Sequence, residues 1–296
     1  MSDVTSPTTT AAACPRPLPR RRPRLIATDL DGTLLRDDKT VSDRTVAALA
    51  AAEQEGIEVF FVTGRPARWM QVVSEHVHGH GLAICSNGAA VVDLHAGCRI
   101  IEARALARQK ALHVVHSLRE AAPGTAFAME FGTGFQHEPD YPPLHFDPAG
   151  VIGPAEKLLE EVEADQGGAI DPLPLLKLLA FHPELDPDGF LSVARTAAGG
   201  HAAITRSSPT ALLEASDTSV SKASTLALCC AERGISADEV VAFGDMPNDI
   251  EMLTWAGTSY AMGNAHPDVF AAASGRTAPN SEDGVAAVIE AILAAD

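Results

Sequence analysis

The chain lacks three features that would each indicate a particular class of protein. It has no excess of positive charge, because 22 lysines and arginines stand against 39 aspartates and glutamates, which gives a net charge of −17. Such a chain repels nucleic-acid backbones and anionic membrane surfaces. No apolar run approaches the roughly 20 residues of a membrane span. We therefore expect neither nucleic acid nor membrane as a partner, and any phosphate site must be made locally positive.

Cysteine is scarce, and its spacing fits neither a zinc site nor a disulfide framework. The five positions are Cys14, Cys85, Cys98, Cys229 and Cys230. An odd, scattered set of thiols is typical of a reducing compartment, so we predict a cytoplasmic location. The first 23 residues are rich in Ser, Thr, Pro and Ala and then turn basic. The basic residues at the end of this stretch are not followed by the apolar segment of an export signal. Residues 1–23 are therefore predicted to be a disordered tail.

The segment after this tail alternates between apolar runs and helical patterns. Apolar runs predict strands that begin at Leu25, at Ile57 and at Leu82. Ser42 is a predicted N-cap for the helix that follows the first strand, and Gly56 ends that helix. Strand, helix, strand, helix, strand indicates a parallel sheet with helices packed against it.

The pattern changes after Asn87-Gly88, a dipeptide typical of turns. A hairpin is predicted over 89–102, and strands and helices are mixed from there until the first pattern resumes near Ala211. We therefore predict an α/β fold with a Rossmann-like parallel-sheet core over 24–88 and 206–296. The intervening residues 89–205 are domain-sized and are predicted to form an inserted, smaller α/β domain.

Two aspartates, Asp29 and Asp31, follow the first apolar run and precede Gly32. Side chains two apart on a strand point the same way, with Cα atoms about 6.5 Å apart. Paired carboxylates at a strand's carboxyl end favour a hard cation such as Mg²⁺. One of them could also attack an electrophile while the other moves a proton. Taken alone, the motif could equally be an Asp-rich turn.

Further polar clusters fall at the other predicted strand ends and helix starts. They are Thr63, Lys222 and the group Asp245, Asn248 and Asp249. Singly, each could be a turn, an exposed lysine or an acidic helix start. Together they suit phosphoryl transfer: a carboxylate attacks, Asp31 moves the proton, Mg²⁺ and Lys222 neutralise charge, and Thr63 donates a hydrogen bond to the phosphoryl group.

In order and spacing these motifs resemble those of the haloacid dehalogenase-like hydrolases, and more closely the Cof-type branch of metabolite phosphatases. The matching segments include Asp29–Leu35, Val62–Pro66, Ser86–Ala89, Val220–Lys222 and Gly244–Asp249. The resemblance implies a Rossmann-like core whose inserted cap, placed between the second and third motifs, selects the substrate. It also implies that Asp29 is the nucleophile and that Asp31 is the acid and base.

The same resemblance implies the ligands. Mg²⁺ would be held by Asp29, by the main-chain carbonyl of Asp31 and by Asp245, and Asp249 would orient metal-bound water or Lys222. The implied phosphate-binding residues are Thr63, Gly64, Asn87 and Asn248. The family often has a glycine on each side of the Val-Ser-Lys segment, where this chain has Ser219 and Ala223. Met246 stands where the family often has glycine, but no chemical group is lost.

The resulting hypothesis is a Mg²⁺-dependent phosphatase of a small phosphorylated metabolite, a sugar phosphate or similar phosphomonoester, that acts through an aspartyl-phosphate. A phosphomutase on the same scaffold and a ligand-binding regulator without catalysis are the alternatives. Asp31 argues against a dehalogenase, which needs no second aspartate. The sequence leaves the oligomeric state open.

Two histidine-bearing segments can each be interpreted in two ways. The loop 132–151 carries side chains that either contact substrate or belong to a plain surface loop, namely His137, Asp140, Tyr141 and His145. His76, His78 and His80 alternate near a predicted helix end, where polar residues are favourable without a metal.

Overall fold

The computed structural model describes residues 18–74, 81–143, 150–160, 174–206 and 210–295. Within these residues the strands form two sheets, one of eight strands and one of five. Residues 1–17 of the predicted tail lie outside the described part, as do His76, His78, His80 and His145. Among the described helices, none combines the length and the apolar character that a membrane span requires.

Short strands and helices alternate along the chain. The strands are β1 (Leu25–Thr28), β2 (Glu58–Val62), β3 (Leu82–Cys85), β4 (Ala90–Asp93), β5 (Arg99–Ala103), β6 (Ala126–Phe131), β7 (Gly134–His137), β8 (Leu175–Phe181), β9 (Ala203–Thr205), β10 (Leu212–Ser216), β11 (Val240–Gly244), β12 (Thr258–Ala261) and β13 (Gly275–Arg276). The helices are α1 (Asp43–Gln54), α2 (Gln71–Ser74), α3 (Arg108–Ala121), α4 (Ala155–Leu158), α5 (Pro187–Ala198), α6 (Lys222–Glu232), α7 (Ile250–Trp255), α8 (Pro267–Ala272) and α9 (Gly284–Ala294). Short 3-10 turns that include Ser86–Gly88 and Pro247–Asp249 connect some of these elements.

Strand β1 lies inside the larger sheet, whose order is β13-β12-β11-β1-β2-β3-β4-β5. It pairs in parallel with β11 and β2, and all four of its residues are buried, as its apolar run predicts. Parallel neighbours end at the same edge of a sheet. Asp29, Thr63 and Asp245, which follow β1, β2 and β11, therefore meet at one edge.

The smaller sheet is antiparallel, with the order β7-β6-β8-β10-β9. Residues of this sheet and of α3 and α5 share an apolar core, distinct from the core of the larger sheet, that includes Phe127, Leu178 and Phe190. Leu178 and its neighbours Lys177 and Leu179 must alternate between faces, because successive side chains of a strand point to opposite sides. The face opposite that core therefore carries Lys177 and Leu179.

The α/β fold with a parallel sheet and a second, smaller unit is confirmed, but sheet membership differs from the predicted boundaries at both ends. The hairpin of β4 and β5, assigned to the insertion, pairs antiparallel with β3 and extends the larger sheet. Strand β10, assigned to the core, pairs with β8 and β9 in the smaller sheet. A strand's sequence pattern records which faces are buried, not which strand is its partner.

Candidate active site

A buried lysine joins two aspartates that come from different motifs. Lys222, the first residue of α6, donates hydrogen bonds from Nζ to Oδ1 of Asp29 and to Oδ1 of Asp249, both at 2.6 Å. The side chains of Lys222 and Asp249 are 1% and 0% exposed. Helix α6 begins there because Ser221 caps it, accepting a hydrogen bond from the backbone N–H of Ser224. The cap thus places the lysine beneath the carboxyl end of β1.

Three aspartates surround this lysine and form a cluster of carboxylates. Asp29, Asp245 and Asp249 are buried, and each offers an oxygen within 4.8 Å of the others. Thr33 donates its hydroxyl to Asp245 at 2.8 Å. The backbone N–H groups of Asp245 and Met246 donate to Oδ2 of Asp249 at 3.1 and 3.0 Å. The donor set is all oxygen, which suits a hard divalent cation.

The charges of this cluster do not balance. Burial raises the pKa of Asp29 well above its ordinary value, and nearby Asp249 and Asp245 add to this, while Lys222 opposes it. Burial, with the charge of Asp249, raises the pKa of Asp245 to about 7. Burial alone would lower the pKa of Lys222, but the two carboxylates that it contacts raise it, so its ammonium stays charged. Three carboxylates thus face one ammonium, and a bound cation would relieve their repulsion.

Gly32 allows the first motif to approach the cluster. Its φ is +80°, a left-handed conformation, and a Cβ there would lie 2.3 Å from Oδ2 of Asp245. Asn264 holds this turn by donating from Nδ2 to the main-chain oxygen of Gly32 at 2.8 Å. The turn after Asp31 therefore requires glycine for both its conformation and its lack of a side chain.

The Asp31 carboxylate lies outside the aspartate cluster. It accepts two hydrogen bonds from Arg65 and one from Lys39, the latter at 2.9 Å. Burial would raise the pKa of Asp31, but these hydrogen bonds and charges together hold it below its usual value. The predicted metal contact of Asp31 is through its main-chain carbonyl, and the hydrogen bonds of its side chain do not involve that oxygen. Arg65 and Lys39 were not among the predicted site residues, although Arg65 directly follows the Thr63-Gly64 motif.

Two of the predicted phosphate-binding residues, Thr63 and Asn87, are joined through the backbone, and Asn87 lies in a strained turn. The backbone N–H of Thr63 donates to Ile84 at 2.8 Å, and that of Asn87 donates to the main-chain oxygen of Thr63 at 3.0 Å. Ser86, Asn87 and Gly88 all have positive φ, at 51°, 57° and 105°. Non-glycine residues in this region are costly and cluster at functional sites.

A cavity of about 390 Å³ lies between these loops and the smaller sheet. The larger sheet contributes Asp29, Asp31, Thr63, Gly64, Arg65, Asp245 and Asn248 to its lining. The smaller sheet contributes Glu130, Lys177, Leu179 and Glu214, each from the middle of a strand. The three charged residues of this set, Glu130, Lys177 and Glu214, were not among the predicted site residues. Their signal was a single charge inside an apolar run, as in Leu175-Leu176-Lys177-Leu178-Leu179.

The described polar candidates of the loop predicted over 132–151 do not line this cavity. Part of it is strand β7, to which His137 belongs. Tyr141 is buried and packs near Phe135, with ring centroids 5.9 Å apart, whereas Asp140 is exposed. His137, Asp140 and Tyr141 are all absent from the cavity's lining. The described part of the loop thus supports the cap's structure instead of forming the wall of the cavity.

The comparison with known families now identifies the class of protein. Residues 26–289 match the family model described as haloacid dehalogenase-like hydrolase. The chain belongs to this family. The expectation of an enzyme from this hydrolase family is thereby confirmed.

Two curated relatives and one solved structure show how far the similarity extends. The chain is 29% identical to the pyridoxal phosphate phosphatase YbhA of Escherichia coli over 284 residues, 90% of this chain and 97% of that protein. It is 29% identical to the 5-amino-6-(5-phospho-D-ribitylamino)uracil phosphatase YcsE of Bacillus subtilis, over 90% of this chain and 94% of that one. The fold matches that of the phosphatase BT1666 from Bacteroides thetaiotaomicron with a TM-score of 0.74, at 24% identity over 94% of this chain and 98% of that chain.

Proposed function

We propose that this chain is a Mg²⁺-dependent phosphatase that hydrolyses a small phosphorylated metabolite through an aspartyl-phosphate on Asp29. The observation that carries the proposal is the aspartate cluster with its buried Lys222, open to a cavity lined by Thr63 and Arg65. Cations and hydrogen-bond donors around one carboxylate are what phosphoryl transfer requires.

The residues present fit a magnesium ion. Asp29, Asp245 and Asp249 would hold it, because they supply buried carboxylate oxygens and carry more negative charge than Lys222 neutralises. When bound, Mg²⁺ would offset the negative charge of the phosphoryl oxygens and of the attacking carboxylate.

In the first proposed step, a carboxylate oxygen of Asp29 attacks the phosphorus, and the bond from phosphorus to the leaving oxygen breaks. Lys222 lies on the same carboxylate and holds its position. Asp31 gives a proton to the leaving oxygen. Because Arg65 and Lys39 keep Asp31 ionised before substrate binds, the phosphoryl anion must draw these cations away so that Asp31 takes up a proton from solvent, which it then gives to the leaving oxygen.

In the second proposed step, water attacks the aspartyl-phosphate, and Asp31 accepts the proton of that water. The bond between phosphorus and the Asp29 oxygen breaks, which releases inorganic phosphate and regenerates the carboxylate. Thr63 and Asn248 line the cavity and would donate hydrogen bonds to phosphoryl oxygens through both steps.

The size and polarity of the cavity support a small phosphomonoester as substrate. A volume of about 390 Å³ holds a metabolite but no folded partner. The two relatives are named for pyridoxal phosphate and for a phosphorylated ribitylaminouracil, both small phosphomonoesters. The four described cysteines, Cys85, Cys98, Cys229 and Cys230, are free, in keeping with the proposed cytoplasmic location.

Phosphate release from p-nitrophenyl phosphate and from a panel of phosphorylated metabolites, with and without Mg²⁺, tests the proposal. We expect release only with Mg²⁺, and its loss in Asp29→Asn. Asp268→Asn, at an exposed position on α8, is the control and should keep wild-type activity. Activity that survives Asp29→Asn would refute the mechanism. Isomerised sugar phosphate in place of free phosphate would favour the phosphomutase, and inactivity on the whole panel would favour a ligand-binding regulator.

A further inference from the structure

A chain of hydrogen bonds joins the smaller sheet to the loops of the proposed phosphate site. Lys177 on β8 donates from Nζ to the main-chain oxygen of Gly64 at 2.8 Å and to Oε1 of Glu214 on β10 at 2.7 Å. Glu214 accepts a second hydrogen bond, at Oε2, from Nδ2 of Asn87. Oδ1 of Asn87 in turn accepts from Nδ2 of Asn248 at 3.1 Å. The chain therefore reaches the loops that follow β2, β3 and β11.

The chemistry of Glu214 sets the direction of this chain. An ionised carboxylate only accepts hydrogen bonds, so Asn87 must turn its NH₂ group toward Glu214 and its oxygen toward Asn248. Asn248 must then present its own NH₂ group to Asn87. Lys177 has donors only, which fixes the order at the other end. An ion pair of the smaller sheet thus determines how two amides of the larger sheet are oriented.

This ion pair is deeply buried, with the side chains of Lys177 and Glu214 only 4% and 6% exposed. Buried ion pairs add little net stability, because desolvation offsets their attraction. Gly64 fits closely beside this pair, since a Cβ there would make a tight contact of 3.2 Å with Oδ1 of Asn87 and an ordinary contact of 3.7 Å with Oε2 of Glu214. The desolvation that offsets the attraction of the pair, and the close contacts at Gly64, favour a role in positioning the loops over a role in stabilising the fold.

The position of the pair separates it from the metal-binding carboxylates. Lys177, Glu214, Gly64 and Asn248 all line the cavity. The hydrogen bonds described above join Lys177 and Glu214 to each other, to Gly64 and to Asn87, which lie on the phosphate side of the cavity. Loss of the pair should therefore disturb the phosphate side of the cavity and spare the cation side.

We infer that Lys177 and Glu214 are positioning residues for the phosphoryl group. They hold the Gly64 loop and the amides of Asn87 and Asn248 in the orientation that binds phosphate, and they do so only while the smaller sheet is seated over the site. The inference rests on the proposed phosphatase function and adds to it a link between the cap and phosphate binding.

The test measures two ligands separately on the full chain by calorimetry, first Mg²⁺ alone and then inorganic phosphate with Mg²⁺ present. Lys177→Met and Lys177→Met/Glu214→Gln are expected to weaken phosphate binding by about tenfold or more, as for the loss of a hydrogen bond to a charged ligand. Mg²⁺ binding should stay unchanged. The double variant is needed because Lys177→Met alone leaves a buried carboxylate unpaired. Lys110→Met, a substitution on α3 that removes an ion pair with Asp217, is the matched control and should change neither affinity.

The proposed order of donors and acceptors in this chain of hydrogen bonds can be tested separately by measuring melting temperatures. Asn87→Asp places two carboxylates face to face and should lower the melting temperature. Adding Glu214→Gln to it supplies a donor opposite the new carboxylate and should restore much of the loss. A double variant no more stable than Asn87→Asp would contradict the proposed order of donors.

Two results of the calorimetry would overturn the inference. One is unchanged phosphate affinity in the variants, and the other is an equal loss of phosphate and Mg²⁺ affinity, which marks general disorder. A wild-type chain that binds phosphate but hydrolyses nothing would refute the proposed function and leave the positioning role standing.

Discussion

Arg65 binds the Asp31 carboxylate through two hydrogen bonds, from Nε to Oδ2 at 2.6 Å and from Nη2 to Oδ1 at 2.8 Å. A guanidinium pairs in the same two-pronged way with a phosphoryl group. A phosphoryl group that enters the cavity would therefore compete with Asp31 for Arg65. This exchange would free Asp31 to carry a proton at the moment when a leaving group is present.

The role of Asp31 predicts a dependence on the leaving group. Asp31→Asn removes the proton donor, and general acid catalysis contributes about 10²–10⁴-fold. We expect a loss of that order in kcat/KM, which reports the first chemical step and not the later attack by water, on an alkyl phosphate, whose leaving oxygen needs a proton. The loss on p-nitrophenyl phosphate should be smaller, because nitrophenolate leaves without one.

Asp38→Asn is the control for this prediction, since Asp38 is an exposed neighbour that accepts hydrogen bonds from Thr40. It should leave kcat/KM on both substrates unchanged. Equal losses on the alkyl and aryl phosphates in Asp31→Asn would argue against proton transfer by Asp31.

The meeting of Asp29, Thr63 and Asp245 could be predicted from the sequence, because strands that run parallel end at one edge of a sheet. Lys222 and Asp249 followed from their place at helix starts in the same pattern. Their roles in catalysis stay predictions, but the structure brings all five residues to one site.

The ion pairs above this site could not be predicted from local patterns. Asp31 with Arg65, and Lys177 with Glu214, join residues 34 and 37 positions apart in the sequence. Which charge meets which depends on which strands are neighbours, β1 and β2 for the first pair and β8 and β10 for the second. The sheet membership of β5 and β10 could not be predicted for the same reason, because it depends on which strands pair and not on local sequence.

The raised pKa of Asp245 predicts how Mg²⁺ stabilisation varies with pH. A carboxyl with a pKa of about 7 when folded and near 4 when unfolded binds more protons in the folded state between those values. Without metal, its contribution to stability therefore falls as the pH rises from 4 to 7. Mg²⁺ binds the deprotonated form, so its stabilising effect should grow over the same range. At 100 times its dissociation constant, a ligand adds about 2.7 kcal/mol.

Thermal melts at pH 5.5 and 7.5, each with and without Mg²⁺, check this prediction. The increase in melting temperature should be larger at pH 7.5. In Asp245→Asn the pH-dependent part of the increase should shrink. An increase that is the same at both pH values would contradict the assignment of Asp245 to the cation site.

Lys222 offers a prediction about stability that is separate from activity. Lys222→Met leaves Asp29 and Asp249 buried without their shared cation, and breaking a buried pair costs about 3–5 kcal/mol. Denaturant unfolding without Mg²⁺ should show a loss of this size. Mg²⁺ should recover part of it by supplying positive charge to the same carboxylates. A variant as stable as the wild type without Mg²⁺ would show that the carboxylates are protonated there.

Two glycines with the same backbone conformation allow the cost of left-handed backbone strain to be measured apart from the cost of a close contact. Gly32 and Gly56 have φ of +80° and +79°, but a Cβ on Gly32 would lie 2.3 Å from Asp245, whereas one on Gly56 meets nothing within 4 Å. Gly56→Ala should therefore cost only the left-handed strain, about 1–2 kcal/mol. Gly32→Ala should cost more and should also weaken Mg²⁺ binding, because Asp245 must move. Denaturant unfolding and Mg²⁺ calorimetry on both variants measure the difference, and equal effects would mean that the Gly32 turn does not shape the cation site.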